Sequence, residues 1–291
     1  MVSSDKTAQQ LSNSFVLAER DLAFLARPEL RPIRLQLELL KPDLVMREHG
    51  VVSTVVVFGS ARVPAPEDVT THVTKAEAAA VAQPDDPGRQ RQLRAARALV
   101  KHAKWYSEAQ KFAGLLSSAC QGGHECNYVV ITGGGPGIME AANRGAHELG
   151  AKSIGLNIVL PFEQRPNPYI HPGLCFNFHY FAMRKMHFLM RAKALAFFPG
   201  GFGTLDEMFE ALTLIQTGKI PRVPCVLFCR EFWDKLLDLE FLADEGLISP
   251  EDLDLIEFVE TAEEGWERIQ AFYGNGKQGN GKQGNGKQAK R

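Results

Sequence analysis

Asn127 to Gly150, NYVVITGGGPGIMEAANRGAHELG, is the stretch that decides the fold. It opens with a short β-branched run lacking polar alternation, which suits a strand buried on both faces of a parallel sheet. The run stops at Thr132-Gly133-Gly134-Gly135-Pro136-Gly137, and IMEAANRGAHELG follows at once with apolar residues at helical spacing. Strand, tight glycine turn and helix are the first half of a βαβ unit. The same grammar recurs on both sides. Upstream, VVSTVVVFGSAR from Val51 is a β-branched run ending in a Gly-Ser turn, followed by a polar, proline-containing stretch and one long helical segment, RQRQLRAARALVKHAKWYSEAQKFAGLLSSAC. Downstream come AKSIGLNIVLP as strand, HYFAMRKMHFLMRAKA as helix, LAFFPGGFGT as strand and loop, and LDEMFEALTLIQTGK as helix. RVPCVLFC as strand, EFWDKLLDLEFLADEG as helix, a short EFVE strand and a last helix ending near Tyr273 complete the series. This alternation predicts an α/β fold, a doubly wound parallel sheet flanked by helices, with ligands outside the carboxyl ends of the strands.

Three regions are expected. Residues 1–50 carry helix-like spacing at Leu11, Phe15, Leu22 and Leu25, then at Ile33, Leu37 and Leu40, with breaks expected near Pro28 and Pro42. They read as a helical extension that packs on the main domain or on a second subunit. Residues 51–273 form the α/β domain. Residues 274–291 are three GNGKQ pentads and AKR, with Lys277, Lys282, Lys287, Lys290 and Arg291 and no acid. Such a segment has no apolar group to bury and is expected to be a disordered basic tail.

The 291 residues are 45% apolar with a formal net charge of -1, so the tail's +5 leaves -1 - 5 = -6 on residues 1–273. That balance argues against a protein that wraps nucleic acid or coats an anionic membrane. No apolar run approaches the roughly 20 residues needed to cross a bilayer. The first thirty residues lack the compact apolar core of a leader, so a cytoplasmic address is expected. Cys120, Cys126, Cys175, Cys225 and Cys229 are an odd set without paired spacing, which suits free thiols in a reducing compartment. Cys225 and Cys229 are expected on one face of a strand, in the core.

Three segments could carry chemistry. The loop Gly133 to Gly137 before a helix can bring backbone amides to a phosphate. It departs from a dinucleotide fingerprint, because Ile138 stands where a third glycine is required and the next strand ends in Pro161 rather than an acid; no GxxxxGK[ST] is present either. A tight structural turn is the other reading. Pro199-Gly200-Gly201-Phe202-Gly203-Thr204 opens a helix carrying Asp206 and Glu207. Thr204 and Glu207 have the spacing of a capping box, or Glu207 is a carboxylate held at a glycine-lined pocket. Arg184, His187 and Arg191 share a helix face, as an exposed stripe or as a site for phosphate or carboxylate.

Pro199-Gly200-Gly201-x-Gly203-Thr204-x-x-Glu207, with Arg184-Lys185 upstream, resembles the paired signature of the LOG (Lonely Guy) family. FGSAR (Phe58 to Arg62) and GGGPGIMEAAN (Gly133 to Asn143) are similar to the family's other two blocks, in order, and the likeness covers roughly residues 51–230. The resemblance implies a Rossmann-like fold, homodimers or larger assemblies, and hydrolysis of a nucleoside 5'-monophosphate, AMP or a cytokinin nucleotide, to free base and ribose 5-phosphate. It implies Arg184 and Glu207 as catalytic residues. It implies Gly59, Ser60, Gly133, Gly134, Gly135, Gly137, Lys185, Gly200, Gly201, Gly203 and Thr204 as substrate-binding. Departures are the N-terminal extension, the insertion from about Val63 to Gln110, the tail, and FAMRK at 181–185 where the family usually has MHxRK. Cleaving an N-glycosidic bond develops oxocarbenium character on the ribose and negative charge on the base, which calls for a carboxylate at the sugar and a cation for the substrate. No metal or cofactor is required: His124, His147, His171 and His179 lack ligand spacing, and nothing marks Lys185, Lys193 or Lys219 for a Schiff base. The competing class is a nucleotide-binding module without turnover, a sensor or carrier.

Overall fold

The computed structural model describes residues 7–120, 125–161 and 165–279. Its sheet has seven strands, all parallel, in the order β4-β3-β2-β1-β5-β6-β7. They are β1 Thr54–Phe58, β2 Val129–Thr132, β3 Ser153–Ile158, β4 Cys175–Phe178, β5 Ala192–Phe197, β6 Cys225–Phe228 and β7 Ile256–Val259. Successive residues of β1 feed opposite cores. Val55 and Val57 join Trp105, Phe112 and Ala142 on one face, while Val56 and Phe58 join Phe188, Met208 and Trp233 on the other. Burial on both faces is why the sequence shows continuous apolar runs instead of alternation. The helices Ala103–Cys120, Ile138–His147 and Ala262–Gly279 cover the first face; Arg31–Glu48, Phe181–Met190 and Phe202–Gln216 cover the second. This is the doubly wound, Rossmann-like α/β arrangement expected. The chain winds outward from β1 through β2 to β4, then returns to the other side of β1 with β5, so the winding direction reverses between β1 and β5. Ligands of such sheets bind where the loops diverge at that reversal.

Several local expectations need correction. Strand β4 was not expected: CFNF is four residues at the sheet edge with alternate residues exposed, too short and too mixed to stand out. The long helical segment is two helices, Pro87–Val100 and Ala103–Cys120. The first has no buried residue and is tied outward through Arg97 and Glu77 (2.8 Å), whereas the second is sunk into the core. Pro42 does not break the extension; it lies inside Arg31–Glu48. Cys229 does not share a strand face with Cys225. It follows β6 with φ of 75°, which interrupts the alternation and turns it to the opposite core. Both thiols are buried, as expected. The last helix passes Tyr273 to Gly279, through the first GNGKQ pentad and to the first residue of the second. Residues 280–291 lie outside the described residues, as does His124.

The helices Ala103–Cys120 and Ile138–His147 cross at Gly145, where a Cβ would stand 1.9 Å from the carbonyl oxygen of Gln110. In an open helix Gly→Ala gains about 1 kcal/mol; here it must spread two helices. Gly145→Ala should therefore lower the urea midpoint, by the equivalent of about 1–3 kcal/mol. A midpoint that stays level or rises would refute the close crossing.

Candidate active site

The loops after β1, β2 and β5 are knitted together at the reversal point. Ser60 N–H donates to Pro199 O, and Ile138 N–H donates to Ser60 O, both at 3.1 Å. Gly137, with φ of 71°, passes so close that a Cβ would fall 2.4 Å from Ser60 O. Over this junction opens a cleft of about 770 Å³. Its walls bring together Gly59, Ser60, Gly133, Gly200, Gly201, Gly203, Thr204, Arg184 and Glu207 from separate parts of the chain. Gly134, Gly135, Gly137 and Lys185 are not among those walls.

The first glycine loop is internally satisfied. Gly134 N–H donates to Thr132 Oγ1 (3.0 Å), and Asn167 Nδ2 donates to the carbonyls of Gly134 and Gly135 (3.3 and 3.0 Å). Fully buried Asn143 completes the set. Its Oδ1 accepts from Thr132 Oγ1 (2.7 Å) and Asn167 Nδ2 (2.9 Å), and its Nδ2 donates to Ser153 Oγ (3.0 Å). These bonds brace the loop through one amide and two carbonyls. Asn143 and Asn167 carry no motif; the one available signal was an amide on an otherwise apolar face of the Ile138–His147 helix.

The second loop has free donors. The helix Phe202–Gln216 is capped by Gly201, whose carbonyl takes the N–H groups of Thr204 and Leu205, each at 3.0 Å. Among the described residues nothing accepts from the amides of Phe202 and Gly203, and a Cβ at Gly201 or Gly203 would meet nothing within 4 Å. A helix N-terminus with open backbone in front of it suits an anion. Because the helix starts at Phe202, Thr204 and Glu207 lie within it and the capping box does not form.

Glu207 is 7% exposed and accepts no hydrogen bond from any described residue. Burial lifts its pKa to about 7, against the lowering by the Lys185 and Arg184 charges. Arg184 comes from the neighbouring helix, Phe181–Met190. Its Nε donates to Leu156 O (2.7 Å) and its Nη2 to Gly133 O (3.3 Å), while Nη1 has no partner among the described residues. Two backbone carbonyls therefore hold a buried guanidinium at the cleft; burial lowers its pKa, partly offset by Glu207. Lys185 Nζ bridges Asp206 Oδ2 (2.9 Å) and Glu210 Oε2 (2.7 Å), stapling the Arg184 helix to the Glu207 helix instead of reaching the cleft.

The N-terminal extension braces this helix from behind. Pro42 has no N–H, so the carbonyl of Glu38 loses its helical donor. His187 Nε2 donates to that carbonyl instead, at 3.0 Å. The Glu38 carboxylate accepts from the N–H groups of His179 (2.7 Å) and Tyr180 (3.1 Å), capping the Arg184 helix across the interface. Arg191 pairs with Asp43 at 2.5 Å. Arg184, His187 and Arg191 therefore do not serve one pocket: the first faces the cleft, the other two face the extension.

A carboxyl that ionises near 4.5 unfolded and only at about 7 folded makes the unfolded chain release its proton first as pH rises. Stability then falls between those values and levels off above them, by roughly 3 kcal/mol at 1.36 kcal/mol per pKa unit. Glu207→Gln removes the buried charge. It should raise the thermal midpoint at pH 8, with a gain that fades as pH falls toward 5; a gain independent of pH would show that Glu207 is not a strained carboxylate.

Sequence comparison adds relatives to this geometry. A family model described as "possible lysine decarboxylase" matches residues 139–269. Cytokinin riboside 5'-monophosphate phosphoribohydrolase LOG3 of Arabidopsis thaliana is 26% identical over 147 residues, 50% of this chain and 67% of the relative. LOG7 of the same plant is 30% identical over 126 residues, 42% of this chain and 56% of the relative. The enzyme named LOG in Oryza sativa subsp. japonica is 28% identical over 139 residues, covering 47% and 56%. The matched parts thus span between 56% and 67% of these relatives' lengths. A molybdenum cofactor binding protein of the phototrophic bacterium Rippkaea orientalis superposes with a TM-score of 0.41 at 19% identity, covering 58% of this chain and 88% of its own, too distant to bear on ligand.

Proposed function

We propose that the chain is a member of the LOG family and that it hydrolyses the N-glycosidic bond of a purine nucleoside 5'-monophosphate, AMP or a cytokinin nucleotide. The observation that carries the reading is Glu207, a buried carboxylate without a hydrogen-bond partner, set beside Arg184 on a glycine-walled cleft. Structure gives no reason to bury such a group unpaired, whereas a base that must titrate near neutrality needs that environment.

The free amides of Phe202 and Gly203 and the open nitrogen of Arg184 take the 5'-phosphate and hold the substrate in its reactive pose. Glu207, one turn further along the same helix, faces the ribose. As its carboxylate it accepts a proton from water while the water oxygen bonds to the anomeric carbon. The carbon–nitrogen bond breaks, its electron pair leaves with the base, and the base takes up a proton. The products are free base and ribose 5-phosphate. Asp206, the other carboxylate lining the cleft, is engaged by Lys185, and the reading has water rather than a carboxylate attack the anomeric carbon.

The reading includes a homodimer or larger assembly in the cytoplasm, where nucleoside monophosphates reside. Ile33, Leu37, Leu40 and Leu44 repeat at four, three and four residues along the extension and stand 43–53% exposed, an apolar seam that a second copy would cover. No helix among the described residues is long and apolar enough to cross a membrane.

Incubation with AMP and with isopentenyl-AMP should release base and ribose 5-phosphate from at least one. The rate should climb with pH through about 7 as Glu207 ionises. Glu207→Gln should lower kcat by about 100-fold or more. Tight nucleotide binding without release from either substrate would instead establish a non-catalytic binding module.

A further inference from the structure

The cleft has two chemically different ends. Across the strand order β2-β1-β5-β6, the β2 end is charged, with Arg184 tied to the carbonyls of Leu156 and Gly133. The β6 end is built from Leu99, His102, Phe232 and Leu236, none of which has a task in the hydrolysis described above. Phe232 and Leu236 belong to the helix Arg230–Leu236 that follows β6. His102 sits in the break between Pro87–Val100 and Ala103–Cys120, its ring edge-on to Phe232 at 6.2 Å and 89°.

His102 has an unexplained nitrogen. Its Nδ1 is buried with no hydrogen-bond partner, and no described residue bonds Nε2 either. An orphaned buried polar atom costs about 1–3 kcal/mol, and native structures keep few of them. Burial and the neighbouring Lys101 and Lys104 charges depress the pKa of the ring, with Glu231 opposing them, which favours the neutral imidazole. A neutral ring has one proton to place. Of the two ring nitrogens only Nδ1 is sealed off without a partner, and in the tautomer protonated at Nε2 that atom is a donor.

We propose that the β6 end is the base subsite, where the purine lies among Leu99, Phe232 and Leu236 and His102 Nε2 donates a hydrogen bond to a purine ring nitrogen. The inference rests on the nucleotide reading of the cleft and extends it to the part of the substrate that motif residues do not touch. Apolar walls with one polar group are how a pocket takes a flat heterocycle in a single orientation. Phosphate at the amides of Phe202 and Gly203 and base at His102 would both lie within the cleft that Glu207 also lines. The base departs with the electron pair of the broken bond, and a donor on its ring stabilises that charge as it develops. His102 and Leu99 belong to the insertion between Val63 and Gln110, so the choice of base is carried by a segment outside the four shared blocks.

Calorimetric titration of the full-length Glu207→Gln protein, in which substrate persists, tests this with AMP and with ribose 5-phosphate, which has no base. His102→Leu should weaken AMP about tenfold and leave ribose 5-phosphate within twofold; His102→Gln, whose amide reaches the place of Nε2, should recover most of the loss. AMP affinity unchanged by His102→Leu, or both ligands weakened in parallel, would overturn the subsite. If the leucine variant does not fold, AMP analogues each lacking one purine ring nitrogen serve on the protein with His102 intact. One of them should bind about tenfold more weakly, and equal binding by all would refute the hydrogen bond. Failure of the wild-type protein to release base from AMP removes the hydrolase reading while leaving the titration decisive; failure to bind AMP at all removes both.

Discussion

The site depends on keeping a buried guanidinium and a buried carboxylate close without letting them neutralise each other by direct pairing. Arg184 is held back by the carbonyls of Leu156 and Gly133, and Glu207 is carried on a different helix with no donor of its own. Had the two met in a salt bridge, the carboxylate would be fixed far below neutrality and could not take a proton from water. Their separation is set by backbone, because the two carbonyls belong to β3 and to the turn after β2, at the rigid end of the sheet. The Lys185 bridges to Asp206 and Glu210 then fix the angle between the two helices. Attraction at one point and restraint at another leave a gap in which a substrate, and not a side chain, is the natural partner of both groups.

The N-terminal extension belongs to the same arrangement. A proline inside a helix ordinarily reads as damage, since it leaves a carbonyl without a donor. Here the freed carbonyl of Glu38 receives His187, while the Glu38 side chain caps the start of the Arg184 helix. One residue thus holds that helix at its N-terminus and at its middle, and the Asp43–Arg191 pair holds its far end. The extension acts as an outer support for the helix that carries Arg184.

How much was legible in the sequence follows from where each signal comes from. The parallel sheet was legible because strands buried on both faces must be continuous apolar runs, and the glycine loops because close backbone approach admits few residue types. Arg184 and Glu207 were legible through spacing shared with a family. Edge strand β4 was not, because four alternating residues at a sheet margin look like loop. The division of labour among Arg184, His187 and Arg191 was invisible too, since helical periodicity says which residues share a face and not what stands opposite. Asn143, Asn167, Glu38 and His102 act through partners 10 to more than 100 residues away, and no local pattern announces a hydrogen bond of that reach.

Polar groups without partners occur in the core as well as at the cleft: Thr54 Oγ1, Ser117 Oγ and His187 Nδ1 are buried and unbonded away from it. The first glycine loop is tied at the N–H groups of Gly134 and Ile138, which donate to Thr132 and Ser60, and at the carbonyls of Gly134 and Gly135, which accept from Asn167. At the cleft, the groups without partners among the described residues are the Glu207 carboxylate, the amides of Phe202 and Gly203, one nitrogen of Arg184, and Nδ1 of His102. Each would be destabilising alone. All of them belong to residues that line one cleft. A core that is dense on both faces of the sheet can carry that local destabilisation, and the stiffness of the first loop ensures that a ligand, rather than a collapse of the loops, relieves it.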